Sequence, residues 1–294
     1  MKPPAFRYSR PGSVAEAVRL LAEHGPAAKV LAGGQSLIPL LSMRLAEPGR
    51  LIDINSIAEL DYRHADSDGV RVGALARHSA VLADPAVAAR QPLLTAALRH
   101  VAHPTIRNRG TSLGSIVHAD PAGELPAVLS VLAGSVTAVS TTGRRTIPAD
   151  QLFTGPLETS LRPDELAVEA FFPALPARSG TAFAELSRRH GDYALCGVAV
   201  LVELDAELRI RTARAGYLSM AATPQVVDLT EPIAGRPHDA DLGAAAELAA
   251  DTLEPEPDIH ASAEYRRQLA RVLTGRAVAE AAQRAATSEA VADG

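Results

Sequence analysis

The run Lys29-Val30-Leu31-Ala32-Gly33-Gly34-Gln35-Ser36-Leu37 limits the fold more than any other stretch, because an apolar strand breaks there into two glycines and then into polar residues at a helix start. Glycine removes Cβ atoms where a large group could approach the backbone. Free N–H groups on a loop entering a helix attract an anion such as a nucleotide phosphate. A Gly-Gly turn between strand and helix also serves plain geometry, so the anion reading needs a second feature to support it. The flanks are informative. Ser13-Val14-Ala15-Glu16 has capping-box spacing, and Val14, Ala17, Val18 and Leu21 recur at helical period until Gly25-Pro26. Residues 27–31 read as a strand, 37–45 as a helix with Pro39 in its first turn, and 51–54 as a second strand. This order fits a small parallel βαβ unit with ligand loops at the strand ends.

A chain of 294 residues has room for roughly two domains. With 47% hydrophobic and 21% charged residues it should be globular, and no apolar run approaches the ~20 residues of a membrane span. The first eleven residues mix Lys2, Arg7 and Arg10 with prolines and lack an apolar signal core, so a cytoplasmic location is expected. A net charge of −5 gives no general attraction for nucleic acid. Cys196, the only cysteine, excludes an internal disulfide and any iron–sulfur cluster or cysteine zinc site built by this chain alone.

Beyond residue 69, Val70-Arg71-Val72 alternates as a half-exposed strand would, and residues 80–101 predict two helices divided near Pro85 or Pro92. The stretch Ile106-Arg107-Asn108-Arg109-Gly110-Thr111-Ser112-Leu113-Gly114-Ser115-Ile116-Val117-His118-Ala119-Asp120-Pro121 has no clear period and reads as a functional loop. A helix is expected over 125–132. Strands are expected over 136–139 and 166–172, with a hairpin turn at Thr142-Gly143-Arg144. The Pro173, Pro176, Ser179 and Gly180 cluster marks a linker. Three further strands are expected over 183–186, 195–204 and 208–215, the last two as a hairpin. Helices follow over 240–252 and 261–286, interrupted at Gly275, within an alanine-rich tail.

Two glycine and hydroxyl loops about eighty residues apart, without a helix-opening GxGxxG, argue against a Rossmann dinucleotide site. Ala32-Gly33-Gly34-Gln35-Ser36-Leu37, Leu51-Ile52-Asp53-Ile54, Ile106-Arg107-Asn108-Arg109-Gly110-Thr111 and His118-Ala119-Asp120-Pro121 together resemble the FAD-binding medium subunit of the xanthine dehydrogenase and carbon monoxide dehydrogenase (molybdenum hydroxylase) family. Phe153-Thr154-Gly155, the run Thr159-Ser160-Leu161-Arg162-Pro163-Asp164-Glu165-Leu166 and Arg188-Arg189-His190-Gly191-Asp192-Tyr193-Ala194 extend the resemblance over nearly the whole chain.

The resemblance implies an α+β fold: a two-lobed FAD-binding domain of the vanillyl-alcohol oxidase-like type at 1–176, with lobes at about 1–60 and 61–176. A C-terminal domain of a three-stranded antiparallel sheet with helices would follow at 177–294. Carried over by position, Ala32, Gly33, Gly34, Gln35, Ser36 and Leu37 would wrap the pyrophosphate, and Thr111, Gly114 and Ser115 would form the second loop. Glu124 would be the acidic cofactor contact, Leu161 an apolar contact on the flavin side, and Val101 a further contact. Arg189 and Tyr193 would lie near the isoalloxazine edge. Glu124 also suits a plain helix N-terminus, and Arg188 and Arg189 a solvated strand end.

The implied cofactor is non-covalent FAD. Molybdopterin and 2Fe-2S clusters are expected only on partners, a large molybdenum subunit and a small iron–sulfur subunit. Electrons would pass from the clusters through FAD to NAD, a quinone, oxygen or another acceptor. No catalytic residue, metal ligand, nucleic acid or membrane span is expected. His118 and Asp120 lack a third ligand, and Cys196 reads as a small core residue. Leu113 departs from the family pattern by standing where its first glycine does, which would set a Cβ against the cofactor; restoring glycine there should be tolerated or should tighten FAD. A free-standing FAD-dependent oxidoreductase and a scaffold subunit that has lost FAD are the alternatives.

Overall fold

The computed structural model describes residues 2–288; the end of the alanine-rich tail, 289–294, lies outside them. The chain opens with β1 (Arg7–Ser9), α1 (Val14–His24), β2 (Ala28–Leu31), α2 (Leu37–Met43) and β3 (Arg50–Asp53). Strands β2 and β3 pair in parallel, as the βαβ reading expected, and β1 adds a third strand in the order β1-β3-β2. Ser13 caps α1, its hydroxyl accepting from the Glu16 N–H at 3.2 Å, while the Glu16 carboxylate accepts from the Gly12 N–H at 2.8 Å.

The next layer holds β4 (Arg63–Ala65), β5 (Gly69–Gly73), α3 (His78–Ala83), α4 (Pro85–Arg90), α5 (Pro92–Leu98), α6 (Pro104–Arg107), α7 (Ser112–His118) and α8 (Glu124–Val131). It continues through β6 (Ser135–Ser140), β7 (Gly143–Pro148), α9 (Ala149–Leu152), β8 (Phe153–Gly155), β9 (Glu158–Thr159) and β10 (Leu166–Pro173). Five of these strands form an antiparallel sheet, β4-β5-β10-β6-β7. Strand β5 lies inside it with the expected alternation, Val70 and Val72 fully buried and Arg71 partly exposed. Pro85 and Pro92 each start a helix, which splits the segment into three helices instead of two; proline is well tolerated where the N–H has no helical acceptor. The segment read as an irregular loop contains α6 and α7, the latter capped by Thr111.

The remaining elements are β11 (Ser179–Ser187), β12 (Ala194–Leu204), β13 (Ile210–Leu218), β14 (Gln225–Asp228), α10 (Gly243–Thr252) and α11 (Ala263–Ser288). The expected three-stranded sheet has four strands, in the order β11-β12-β13-β14. Strand β14 escaped notice because only Val227 of its four residues is buried, too short a pattern to read from alternation. Helix α11 runs through Gly275 without a break and packs on α10.

Strand β12 is buried on both faces. Ala199 and Leu201 join the core that contains β5, β6, β10, α5 and α8, whereas Cys196, Val198, Val200 and Val202 join the core under α10 and α11. Two-sided burial explains its nearly unbroken apolar sequence. Burial also pushes the Cys196 thiol up to about 12, which leaves it an inert core group. Among the described residues no helix is long and apolar enough to cross a membrane.

Candidate functional site

The loop after β2 and the loop before α7 meet backbone to backbone. A Cβ on Gly33 would collide with the Arg109 carbonyl oxygen and lie 2.8 Å from the Gly110 Cα, so only glycine lets the loops touch. Gly34 turns at φ +73°, which admits the chain into α2. The backbone N–H groups of Gly33, Gly34, Gln35 and Ser36 donate to no protein acceptor among the described residues. In the second loop three N–H groups are used within the protein, while those of Thr111 and Leu113 donate to no protein acceptor among the described residues. The Ser112 N–H donates to Ala76 O at 3.0 Å, the Gly114 N–H to Thr111 Oγ1 at 3.1 Å and the Ser115 N–H to Thr111 O at 3.0 Å.

A polar bridge joins the loops. Asn55 Nδ2 donates to Ala32 O at 2.8 Å, Arg77 Nη2 to Asn55 Oδ1 at 2.6 Å, and Arg77 Nη1 to Arg109 O at 2.5 Å. Asp53, which accepts from Asn55 at 2.6 Å and from the Tyr8 hydroxyl at 2.6 Å, anchors the network. Behind it His78 is 3% exposed with Nδ1 3.3 Å from Ser112 Oγ, and burial, reinforced by the Arg107 charge, lowers its pKa to about 4. Isolated polar side chains give no sequence signal for such a network; only the positions of β3 and α3 bring Asn55 and Arg77 together.

Between the loops lies a cleft of about 1080 Å³. Ala32, Gly33, Gly34, Gln35, Ser36, Leu37, Val101, Thr111, Gly114, Ser115, Glu124, Leu161 and Tyr193 all line it, whereas Arg189 is exposed outside its lining. Leu113, expected to set a Cβ against a ligand, lines the cleft and is 1% exposed with its side chain in the core, so its replacement would open a hole. Leu161 is set by Glu165, whose carboxylate takes paired bonds from Arg145 at 2.6 and 2.7 Å and the Arg162 N–H at 2.7 Å. The Arg145 bonds hold Glu165 below the usual carboxylate range.

At the far end, burial first, and then the charges of Glu185 and Asp120, push the Glu124 carboxyl up to about 8. Tyr193 stands on the rim with 70% of its surface exposed. Desolvation at its hydroxyl end, followed by the Asp120 and Glu124 charges, raises the phenol to about 12. No group of His, Cys, Asp and Glu among the described residues could hold a metal ion.

Two family models cover most of this architecture: the FAD binding domain in molybdopterin dehydrogenase matches residues 4–175, and the CO dehydrogenase flavoprotein C-terminal domain matches residues 181–281. The chain belongs to this flavoprotein family. The chain is 43% identical over 287 residues, 97% of each protein, to the 6-hydroxypseudooxynicotine dehydrogenase complex subunit alpha of Paenarthrobacter nicotinovorans. With the nicotine 6-hydroxylase medium subunit of the same organism it shares 42% identity over 97% of this chain and 100% of the relative. A solved carbon monoxide dehydrogenase from Hydrogenophaga pseudoflava superimposes with a TM-score of 0.91 at 37% identity, covering 97% of this chain and 99% of that one. The family is one of FAD-containing oxidoreductase subunits, and the open N–H groups beside a roomy cleft suit a diphosphate-bearing cofactor.

Proposed function

We propose that this flavoprotein binds FAD non-covalently in the cleft and serves as the electron outlet of a heteromeric molybdenum hydroxylase. The observation that carries the reading is the set of four open N–H groups at Gly33, Gly34, Gln35 and Ser36, held against the Thr111 loop by the Asn55–Arg77 bridge. In this reading Ala32 to Leu37 wrap the pyrophosphate, with Gln35 and Ser36 adding side-chain donors, and Thr111, Gly114 and Ser115 close the site from the other side. Leu161 and Val101 supply apolar surface, Glu124 a polar contact, and Tyr193 guards the rim. Arg189 would act from outside the cleft.

When bound, FAD supplies one-electron acceptance and two-electron release. The chain's own residues position the cofactor, exclude water and tune its surroundings; no general acid or base acts on the complex's substrate. Molybdopterin and 2Fe-2S clusters belong on partner subunits, since a single buried cysteine cannot hold a cluster. The names of the relatives, a dehydrogenase complex subunit and a hydroxylase medium subunit, support a large molybdenum subunit and a small iron–sulfur subunit as partners. Exposed Ile38, Met43 and Leu45 along and just past α2 favour such a complex over a free-standing oxidoreductase. Burial of Leu113 in the core supports this reading over a scaffold without FAD. The acceptor, NAD, a quinone or oxygen, and the cytoplasmic location belong to the same proposal, as do the lobes of the vanillyl-alcohol oxidase type and the 1–176 and 177–294 division.

The test is direct. Purified chain should show flavin absorbance, and acid precipitation should release FAD into the supernatant. A colourless chain that refuses added FAD would overturn the reading, and flavin retained in the precipitate would overturn non-covalent binding.

A further inference from the structure

Ser219, just past the end of β13, holds a left-handed backbone at φ +60°, a region where a residue with a side chain is strained. Three hydrogen bonds keep it there. Its N–H donates to Pro121 O at 2.8 Å, its hydroxyl donates to Ala194 O at 2.7 Å, and its own carbonyl accepts from Arg266 Nη1 at 3.0 Å. Arg266, in the first turn of α11, is 5% exposed. The same Nη1 donates to Leu195 O at 2.6 Å, and Nη2 donates to the Asp258 carboxylate at 2.6 Å. A buried guanidinium engaged by two carbonyls and one carboxylate fixes those carbonyls relative to α11.

Both segments that Ser219 ties together belong to the far end of the cleft. Pro121 lies in the α7–α8 turn among Asp120, Gly123 and Glu124, which line the cleft, and Ala194 directly follows Tyr193. On the other side of Tyr193, Gly191 turns at φ +88° and packs against the His103 ring, so that a Cβ there would collide with the imidazole. Tyr193 thus stands between two pinned points. A joint between the two regions matched by the family models needs only the N–H bond to Pro121 O. The hydroxyl bond adds nothing to that joint, and its acceptor is the carbonyl next to Tyr193.

We propose that Ser219 is a positioning residue that fixes Tyr193 on the cleft's rim and so sets how closely an electron acceptor approaches a flavin held there. The proposal rests on the FAD reading above. Ser219 is not part of the cleft lining and acts through the Ala194 carbonyl. With the hydroxyl bond gone, the Tyr193 segment samples positions away from the rim, and an acceptor reaches the flavin more often.

The experiment reduces FAD-loaded full chain anaerobically with one equivalent of dithionite and mixes it with ferricyanide, two ions of which remove the flavin's two electrons one at a time. Ser219→Gly deletes the hydroxyl while easing the backbone strain, a change the fold should accept. Its reoxidation rate should rise about fivefold, the population shift that one lost hydrogen bond produces, with FAD affinity unchanged because the diphosphate end is untouched. In a Tyr193→Ala chain, Ser219→Gly should have no further effect on the rate. An unchanged rate in Ser219→Gly overturns the proposal, and so does the full rise on top of Tyr193→Ala. Hydrogen exchange of the FAD-free chain gives a readout without flavin. The Asp192 N–H, which donates to Arg189 O at 3.0 Å, should exchange about fivefold faster in Ser219→Gly. Unchanged exchange there overturns the positioning role. A chain that holds no FAD fails the cofactor reading instead, and the exchange measurement then judges Ser219 alone.

Discussion

In the first loop the N–H groups of Gly33 to Ser36 stay open, whereas in the second those of Ser112, Gly114 and Ser115 are used within the protein. The first loop therefore offers an anion four successive donors, whereas the second, with only the Thr111 and Leu113 N–H groups left open, supplies mainly shape: a wall against which Gly33 lies and a helix whose Leu113 roots it in the core. Similar glycine and hydroxyl sequences thus do different physical work. What separates them is where the N–H groups point once the chain is folded.

The sharpest way to break this contrast is Gly33→Val. Its Cβ would drive the loops apart, and FAD affinity should fall roughly 100-fold in a fluorescence titration. Retained affinity would show that the close approach is incidental. Leu113→Ala should do the opposite, lowering stability by about 3 kcal/mol in a denaturant titration while changing FAD affinity little, because it empties a core site. On this ground glycine at 113 should not be tolerated as the sequence pattern suggested.

A pH series probes the same wall through His78. Its folded pKa of about 4 lies below the ordinary unfolded value, so between about pH 6.5 and 4 the unfolded chain binds a proton that the folded chain does not. Stability should therefore fall as pH drops through that window, by about 2 kcal/mol, and His78→Asn should flatten the slope. The smallest effect is expected for Thr111→Val, which removes the α7 cap and should cost about 1 kcal/mol of stability. A large loss of FAD with unchanged stability would instead make the hydroxyl a ligand group.

The opening βαβ unit was legible because its strands are short apolar runs bounded by glycine and proline. The cleft's first wall was legible for the same reason. The second wall was read as an irregular loop, since α6 spans four residues and α7 begins Ser-Leu-Gly-Ser, weak helix formers that hold only with the Thr111 cap and the Leu113 anchor. Glu185 was invisible as well. In sequence it is one polar residue in an alternating strand, and it becomes a buried, half-satisfied acid only when β11 packs against the α5 side. Asn55 and Arg77, 22 residues apart, form their bridge solely through tertiary placement.

Strand β12 carries one further consequence. Because its alternate side chains are shared between two cores, parting the elements packed on its two faces would have to break both cores at once. A single strand thus makes one body of the two regions matched by the two family models, a shared wall where a linker sequence could have left a hinge.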